Sequence, residues 1–135
     1  MAGLRGVHLL MTGDEGVVAH AVEVIEIDEV VRLLGTPDAA WFSDGERAYA
    51  GSKADPERRL AARLAAKRAA SRLLGSPVTP ADVEVVRDRP GPPRLRLSPR
   101  AQTRLLALGA AVALVSLTHE RHHAAAAVLL LRGKG

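Results

Sequence analysis

The chain has 135 residues, 47% hydrophobic and 25% charged, with a net charge of +4, which is typical of one globular domain and not of a disordered or fibrous protein. It has no cysteine, which excludes disulfide scaffolds, thiol nucleophiles and zinc sites with cysteine ligands. The three aromatic residues are too few for base stacking, and the longest apolar runs are far below the roughly 20 residues of a membrane span. We therefore expect a cytoplasmic protein without a nucleic-acid or membrane partner.

The first half of the chain predicts a strand followed by two helices of very different length. Residues 22–27 are β-branched and partly alternate with polar residues, which predicts a strand, and residues 28–34 predict a short helix ending at Gly35. Asp55 and Pro56 form a typical helix start. A long helix is therefore predicted from this point to residue 74.

The second half predicts two hairpins with a helix between them. The strands are predicted at residues 82–87, 94–97, 113–118 and 124–131, and the helix at 99–108. This order predicts an α+β fold in which a mostly antiparallel sheet packs on the long helix. We predict a single domain over residues 17–135, preceded by an N-terminal extension, residues 1–16.

Charge is distributed unevenly along the chain. Residues 1–50 carry three Lys or Arg and nine Asp or Glu, whereas residues 51–135 carry sixteen and six. Sixteen of the nineteen basic residues are arginine, which suits bidentate contacts with phosphate or carboxylate. Two interpretations stay open: the residue usage of a GC-rich genome, or a basic half directed at an anionic ligand.

Several segments resemble one known family in both order and spacing. They are residues 22–27, 41–49, 63–75, 83–88, 91–93, 115–119 and 124–128. On these segments the chain resembles holo-acyl-carrier-protein synthase, the small trimeric type of 4′-phosphopantetheinyl transferase, over about four-fifths of its length. The resemblance implies that fold, a homotrimer, coenzyme A or a phosphopantetheine-linked ligand, and an acyl carrier protein as partner.

The chain departs from this family at the positions that carry the chemistry. In the family, a strand Asp and a Glu on the long helix hold magnesium, a Lys one turn later assists, and a His lies at the diphosphate end of the site. Here Glu23 stands at the Asp position, Arg68 at the Glu position and Arg72 at the Lys position. The residues that match the family are His119, Arg63 and Lys67.

These substitutions are unfavourable for a divalent cation. Magnesium is held by carboxylates and phosphate oxygens, whereas a guanidinium has no acceptor and stays protonated. At about 4 Å, a guanidinium and a dication repel by about 2 kcal/mol in water and about 8 kcal/mol at an effective dielectric constant of 20. We predict no metal at this site, and Arg72 cannot act as a base.

The resemblance also points to candidate ligand and partner contacts. The candidate coenzyme-binding residues are Arg58, Arg59, Arg63, Lys67 and Arg68, although a solvated basic helix face explains the same pattern. The first helix begins with Asp28 and Glu29, where the family has a basic surface that meets an acidic carrier protein. Like charges there would weaken docking of an acidic partner, unless these residues are simply solvated.

We consider three hypotheses for function. In the first, the metal-dependent transferase site is lost. Glu23 and His119 then act as an acid/base pair, beside Arg68 and Arg72, on a thioester linked to a carrier protein or to coenzyme A. Alternatively, the protein that has lost this site is a non-catalytic scaffold. In the second, it is an active transferase whose arginines replace the cation, with Glu23 or water accepting the serine proton. In the third, which the missing recognition motif disfavours, the basic half binds nucleic acid.

Overall fold

The computed structural model describes residues 16–87 and 91–133, so the predicted N-terminal extension lies outside the described residues except for Gly16. The elements in chain order are β1 (Val17–Glu26), α1 (Ile27–Leu33), α2 (Asp44–Gly51), α3 (Pro56–Leu74), β2 (Val83–Arg87), β3 (Pro93–Leu97), α4 (Pro99–Ala107), β4 (Val112–His119) and β5 (His123–Leu131). Short 3-10 turns at Pro37–Trp41 and Pro80–Asp82 precede α2 and β2. No helix among the described residues is long and apolar enough to cross a membrane.

The strands form two antiparallel units that pack on the long helix. β1, β5 and β4 form a three-stranded sheet with β5 in the centre, and β2 and β3 form a separate hairpin. The predicted α+β class, the antiparallel pairing and the long helix are confirmed. One element, α2, was not predicted, although Ser43 and Glu46 form a capping box at its start.

Helix α3 is the centre of the core because its sequence is dominated by alanine and leucine. Its N-terminus has Pro56 at the first helical position, where the missing N–H leaves no hydrogen bond unmade. It ends at Gly75, whose φ of 81° lies in the region that favours glycine. Small side chains on α3 and on β5 allow close packing of the helix on the sheet; those buried from α3 include Ala61, Ala65 and Ala69, and those from β5 include Ala124 and Ala126.

A buried ion pair fixes α2 and β2 against α3. The Lys67 ammonium donates to Glu46 Oε1 at 2.9 Å and also to the carbonyl of Val83. Glu46 Oε2 accepts from the backbone N–H of Val85 at 2.8 Å. Both charged side chains are at most 1% exposed. This network positions the last turn of α2, where Tyr49 lies, beside the first half of α3.

The sheet face that points away from α3 is apolar and exposed. Alternation along β1 places Val22 and Val24 on this side, and alternation along β4 places Val112 and Leu114 there. These four residues define the outer sheet face. Val24 is 65% exposed, which is high for a valine in the middle of a paired strand.

Candidate functional site

A basic cleft of about 260 Å³ opens beside the first half of α3. Its walls come from α2, α3, β2 and the end of β4, and the residues that define it are Tyr49, Arg59, Arg63, Arg87 and His119. Three guanidinium groups line the cleft, and one of them, that of Arg59, is paired with the Asp55 carboxylate at 3.2 Å. Such a cleft attracts an anionic ligand such as a phosphate monoester.

Arg63 is held in this cleft with part of its hydrogen-bonding capacity unused. The residue is only 3% exposed, and its guanidinium carbon lies 4.2 Å from the ring centroid of Tyr49. Nη1 donates to the carbonyl of Arg59 at 3.3 Å, while Nε is buried without a hydrogen-bond partner in the described chain. A buried, unpaired donor of this kind costs stability, and an anion that accepts from it recovers the loss.

His119 also lines this cleft, and one of its ring nitrogens has no hydrogen-bond partner among the described residues. This nitrogen, Nδ1, is buried. Burial, and then the nearby charge of Arg59, lower the pKa of His119 below its usual 6.5, with a smaller opposing effect from Asp55. The ring is therefore neutral at pH 7, and a bound phosphate would favour its protonated form.

The other two predicted coenzyme contacts on this part of α3 have different surroundings. Arg58 is partly exposed, lies 4.0 Å from the carboxylate of Asp55 and is not among the residues that line the cleft. Lys67 points into the core, where Glu46 and the Val83 carbonyl bind its ammonium. The expectation that Lys67 contacts a ligand phosphate does not fit this burial, and the residue is structural.

The positions that resemble the family's metal ligands form two ion pairs across the fold. Arg72 Nη1 donates to Glu23 Oε1 at 2.8 Å, and its Nη2 lies 3.4 Å from the carbonyl of Val22. One turn earlier on α3, Arg68 Nη1 donates to Glu29 Oε2 at 2.7 Å. We call these four side chains the guanidinium site.

The guanidinium site does not fit a divalent cation. Its one carboxylate from the strand, Glu23, is already paired with Arg72, and the helix contributes Arg68 in place of an oxygen ligand. A cation bound to Glu23 would lie close to the Arg72 guanidinium and be repelled by it. We therefore assign no step of any reaction to a metal here.

Glu23 and His119 do not form an acid/base pair within one chain. Glu23 lies on β1 and His119 on β4, which are the two edges of the three-stranded sheet. Two strand spacings, about 10 Å, separate those edges, and His119 is displaced by two further positions along the register. Within one chain, Glu23 and Arg68 therefore lie in the guanidinium site and His119 lies in the basic cleft; a pocket that contains all three stays a prediction for the assembled protein.

The histidines after β4 are tied into their own turn. Glu120 Oε1 accepts from His123 Nδ1 at 3.0 Å and from the backbone N–H of His122 at 2.8 Å. In the described ranges, no group of three or more His, Cys, Asp or Glu side chains is arranged to hold a metal ion.

Comparison with known proteins connects this geometry to one family. No model of a protein family matches the chain. The holo-[acyl-carrier-protein] synthase of Mycobacterium ulcerans is 41% identical over 130 residues, which span 87% of this chain and 97% of that protein. The chain belongs to the holo-acyl-carrier-protein synthase family.

Solved structures of synthases in this family have the same fold. The acyl carrier protein synthase of Mycobacterium tuberculosis superposes with a TM-score of 0.65 at 35% identity, covering 85% of this chain and 97% of that one. The synthase–coenzyme A complex of Chronobacterium ammoniagenes superposes with a TM-score of 0.69 at 26% identity, covering 86% and 98%. The resemblance inferred from the sequence is thereby confirmed.

Three residues of the two sites escaped the sequence interpretation. Tyr49 and Arg87 line the basic cleft, and Glu29 pairs with Arg68. The signal for Tyr49 was its place three residues after Glu46, on the helix that the capping box starts. Arg87 and Glu29 carried no local signal, because their roles depend on which strand and helix ends meet in space.

Proposed function

We propose that this protein transfers the 4′-phosphopantetheine group of coenzyme A to a serine of an acyl carrier protein, the holo-[acyl-carrier-protein] synthase reaction. In this reaction the serine oxygen forms a bond to the phosphate next to pantetheine. The phosphate–phosphate bond breaks, and the nucleotide leaves as adenosine 3′,5′-bisphosphate. Membership of the family and its relatives' names support this reaction above a repurposed one.

The observation that carries the proposal is the pair of unpaired nitrogens in the basic cleft. Arg63 Nε and His119 Nδ1 are both buried without partners, and their side chains line a cleft that also contains Arg59 and Arg87. Coenzyme A differs from most pantetheine compounds in its 3′-phosphate, a dianion that could accept from both nitrogens. We place this phosphate in the basic cleft.

Proton transfer in this reaction falls to Glu23 or to water. Glu23 is the carboxylate nearest the end of α3 that carries Arg72, and its side chain is about one-fifth exposed. Arg68 and Arg72 keep their protons, so neither can accept the serine proton. An oxygen of Glu23 not bound by Arg72 would accept that proton as the serine oxygen bonds to phosphorus.

We further propose that the protein acts as a homotrimer, as the resemblance implies. The outer sheet face exposes Val22, Val24, Val112 and Leu114 together, on a sheet whose other side is fully packed against α3. An apolar face of this kind is buried in most proteins by a partner surface. A second copy of the same chain is the partner that its family membership supports.

The thioester hypothesis has less support than the transferase. It needs Glu23 and His119 in one pocket, and the register places them at opposite edges of the sheet. The acidic start of α1 also has a structural explanation, since Glu29 binds Arg68. Asp28, the other acidic residue of that turn, has no such ion pair among residues 16–87 and 91–133, and its charge would oppose an acidic carrier protein.

Mass spectrometry of an apo carrier protein incubated with coenzyme A tests the reaction directly. We expect the carrier to gain the mass of phosphopantetheine, and the gain to be lost when Arg63 is replaced by Ala. Arg96→Gln is the matched control, because Arg96 forms an exposed ion pair with Glu84 and lines neither site. The proposal is wrong if wild-type protein at stoichiometric concentration modifies neither an acidic nor a weakly charged carrier protein.

Coenzyme A titrated against the protein distinguishes a non-catalytic scaffold from a transferase. A scaffold would show neither turnover nor tight binding, whereas the proposed site binds coenzyme A more tightly than its 3′-dephospho form. Loss of Arg63 should remove that preference and leave the weaker affinity for the 3′-dephospho form unchanged.

A further inference from the structure

The guanidinium site has unused N–H donors and a partner carboxylate that can be displaced. Glu23 and Glu29 contribute two negative charges, which balance the two positive charges that Arg68 and Arg72 contribute from successive turns of α3, so an anion binds here by displacing the exposed Glu29 carboxylate. Guanidinium groups carry more N–H donors than these ion pairs use. The Arg68 side chain is 26% exposed and the Arg72 side chain 56% exposed, so a ligand in solution can reach both.

The spacing of the two arginines suits a diphosphate. Residues four apart on a helix lie on the same face, so Arg68 and Arg72 project toward the same side of α3. Both reach the β1–α1 segment, where Glu23 and Glu29 accept from them. Planar guanidiniums bind phosphate oxygens bidentately, and two of them can each bind one phosphoryl group of a diphosphate.

Glu29 is the hydrogen-bonded partner of Arg68. Its carboxylate lies 2.7 Å from Arg68 Nη1 and is 39% exposed, which makes it a partner that a stronger anion can displace. Exposed ion pairs of this kind contribute little free energy, so the displacement costs little. The contact keeps the guanidinium in position between α1 and α3.

We propose that Arg68 and Arg72 bind the diphosphate of the substrate directly and replace a divalent cation, so that binding and transfer do not depend on a metal. The diphosphate ligand is coenzyme A, and this part of the inference rests on the proposed function. The arginines neutralise the charge that develops on the leaving phosphate, in the way that fixed cations stabilise a phosphoryl-transfer transition state. Glu29 is then an internal competitor for Arg68.

Calorimetric titration with inorganic pyrophosphate and with coenzyme A, each in EDTA and in magnesium chloride, tests this inference. We expect the two media to give equal dissociation constants, within error. Arg68→Gln and Arg72→Gln should each weaken binding by roughly tenfold or more, because each removes a charge-assisted contact. Arg96→Gln removes an ion pair of similar exposure on β3 and should leave affinity unchanged.

Two further variants separate anion binding from a hidden metal site. Glu29→Gln frees Arg68 and should strengthen pyrophosphate binding, whereas a cation site would lose affinity with the carboxylate. Arg68→Glu combined with Arg72→Lys supplies carboxylates on both elements and should bind Mn²⁺, measured by the loss of the free-ion EPR signal. Melting curves confirm that each variant is folded.

The outcomes keep this inference apart from the proposed function. Carrier modification that requires magnesium, or Mn²⁺ bound stoichiometrically by the wild-type protein, overturns the inference and leaves the transferase intact. Metal-independent pyrophosphate binding that needs both arginines, without any carrier modification, supports the inference and overturns the transferase. Pyrophosphate affinity that is unchanged in both arginine variants shows that the ion pairs are purely structural.

Discussion

Replacing Glu46 with Gln tests the ion pair that fixes α2 against α3. The substitution keeps the side-chain length but removes the negative charge 2.9 Å from the Lys67 ammonium. Because both side chains are at most 1% exposed, the variant leaves a cation buried without a counter-charge. Breaking a buried pair in this way costs about 3–5 kcal/mol, which for a domain of this size lowers Tm by about 10–20 °C.

The loss should depend on pH in a defined direction. Burial lowers the pKa of Lys67, and Glu46 opposes that effect. Without Glu46, the pKa of Lys67 in the folded protein falls further below its pKa in the unfolded chain. At pH values between these two pKa values, the unfolded chain therefore binds more protons than the folded protein does. The loss of stability in Glu46→Gln should therefore become smaller as pH rises toward the ordinary pKa of lysine.

Urea unfolding followed by circular dichroism, at fixed protein concentration, measures these free energies. Combining Glu46→Gln with Lys67→Met removes both charges and should cost much less than the sum of the two single changes. Arg96→Gln breaks an exposed pair and should cost less than about 1 kcal/mol. A Glu46→Gln variant within 1 kcal/mol of the wild type, or fully additive single changes, would refute the reasoning.

Three further predictions concern the ligand cleft and the assembly. Coenzyme A affinity should rise as pH falls from 8 to 6, because a bound phosphate raises the lowered pKa of His119. His119→Gln should make the binding constant nearly independent of pH in this range. A binding constant that changes with pH as steeply in this variant as in the wild type contradicts the assignment. Tyr49→Ala should weaken coenzyme A binding by about threefold to tenfold through loss of the contact with Arg63, whereas Tyr49→Phe should not; calorimetry distinguishes them. Val24→Glu should yield monomers in sedimentation velocity. Val31→Glu, at a similarly exposed valine on α1, should leave the trimer intact. If both variants remain trimers, the outer sheet face is not the interface.

The sequence predicted the elements better than it predicted which side chains meet. Strands and the long helix were readable because apolar spacing and terminal Pro and Gly residues act locally. The burial of Lys67 was also readable in principle, since it falls on the same helical face as Leu60, Leu64 and Leu74. Because Lys67 also matches the family pattern, the resemblance predicted a ligand contact for it.

The pairing of the site residues depended on tertiary geometry that no local pattern encodes. The residues at 68 and 72 predicted an altered metal site, but only the packing of α3 on β1 shows Arg72 against Glu23. Likewise, Glu23 and His119 appeared compatible as an acid/base pair until the strand order placed β5 between them. Position along the chain did not reveal that separation.

The close alanine packing holds α3 rigidly on β5, and this one helix carries the arginines of both the basic cleft and the guanidinium site. Arg63 lies in the first half of this helix, and Arg68 and Arg72 follow within the next three turns. A bulkier residue at Ala65 or Ala126 would move α3 away from the sheet. The guanidinium groups of Arg63, Arg68 and Arg72 would then shift together. A core substitution cannot move the arginines of one site without moving those of the other. A change in the ligand preference of one site must therefore arise from residues that face α3, such as Glu29, Tyr49 and the end of β4.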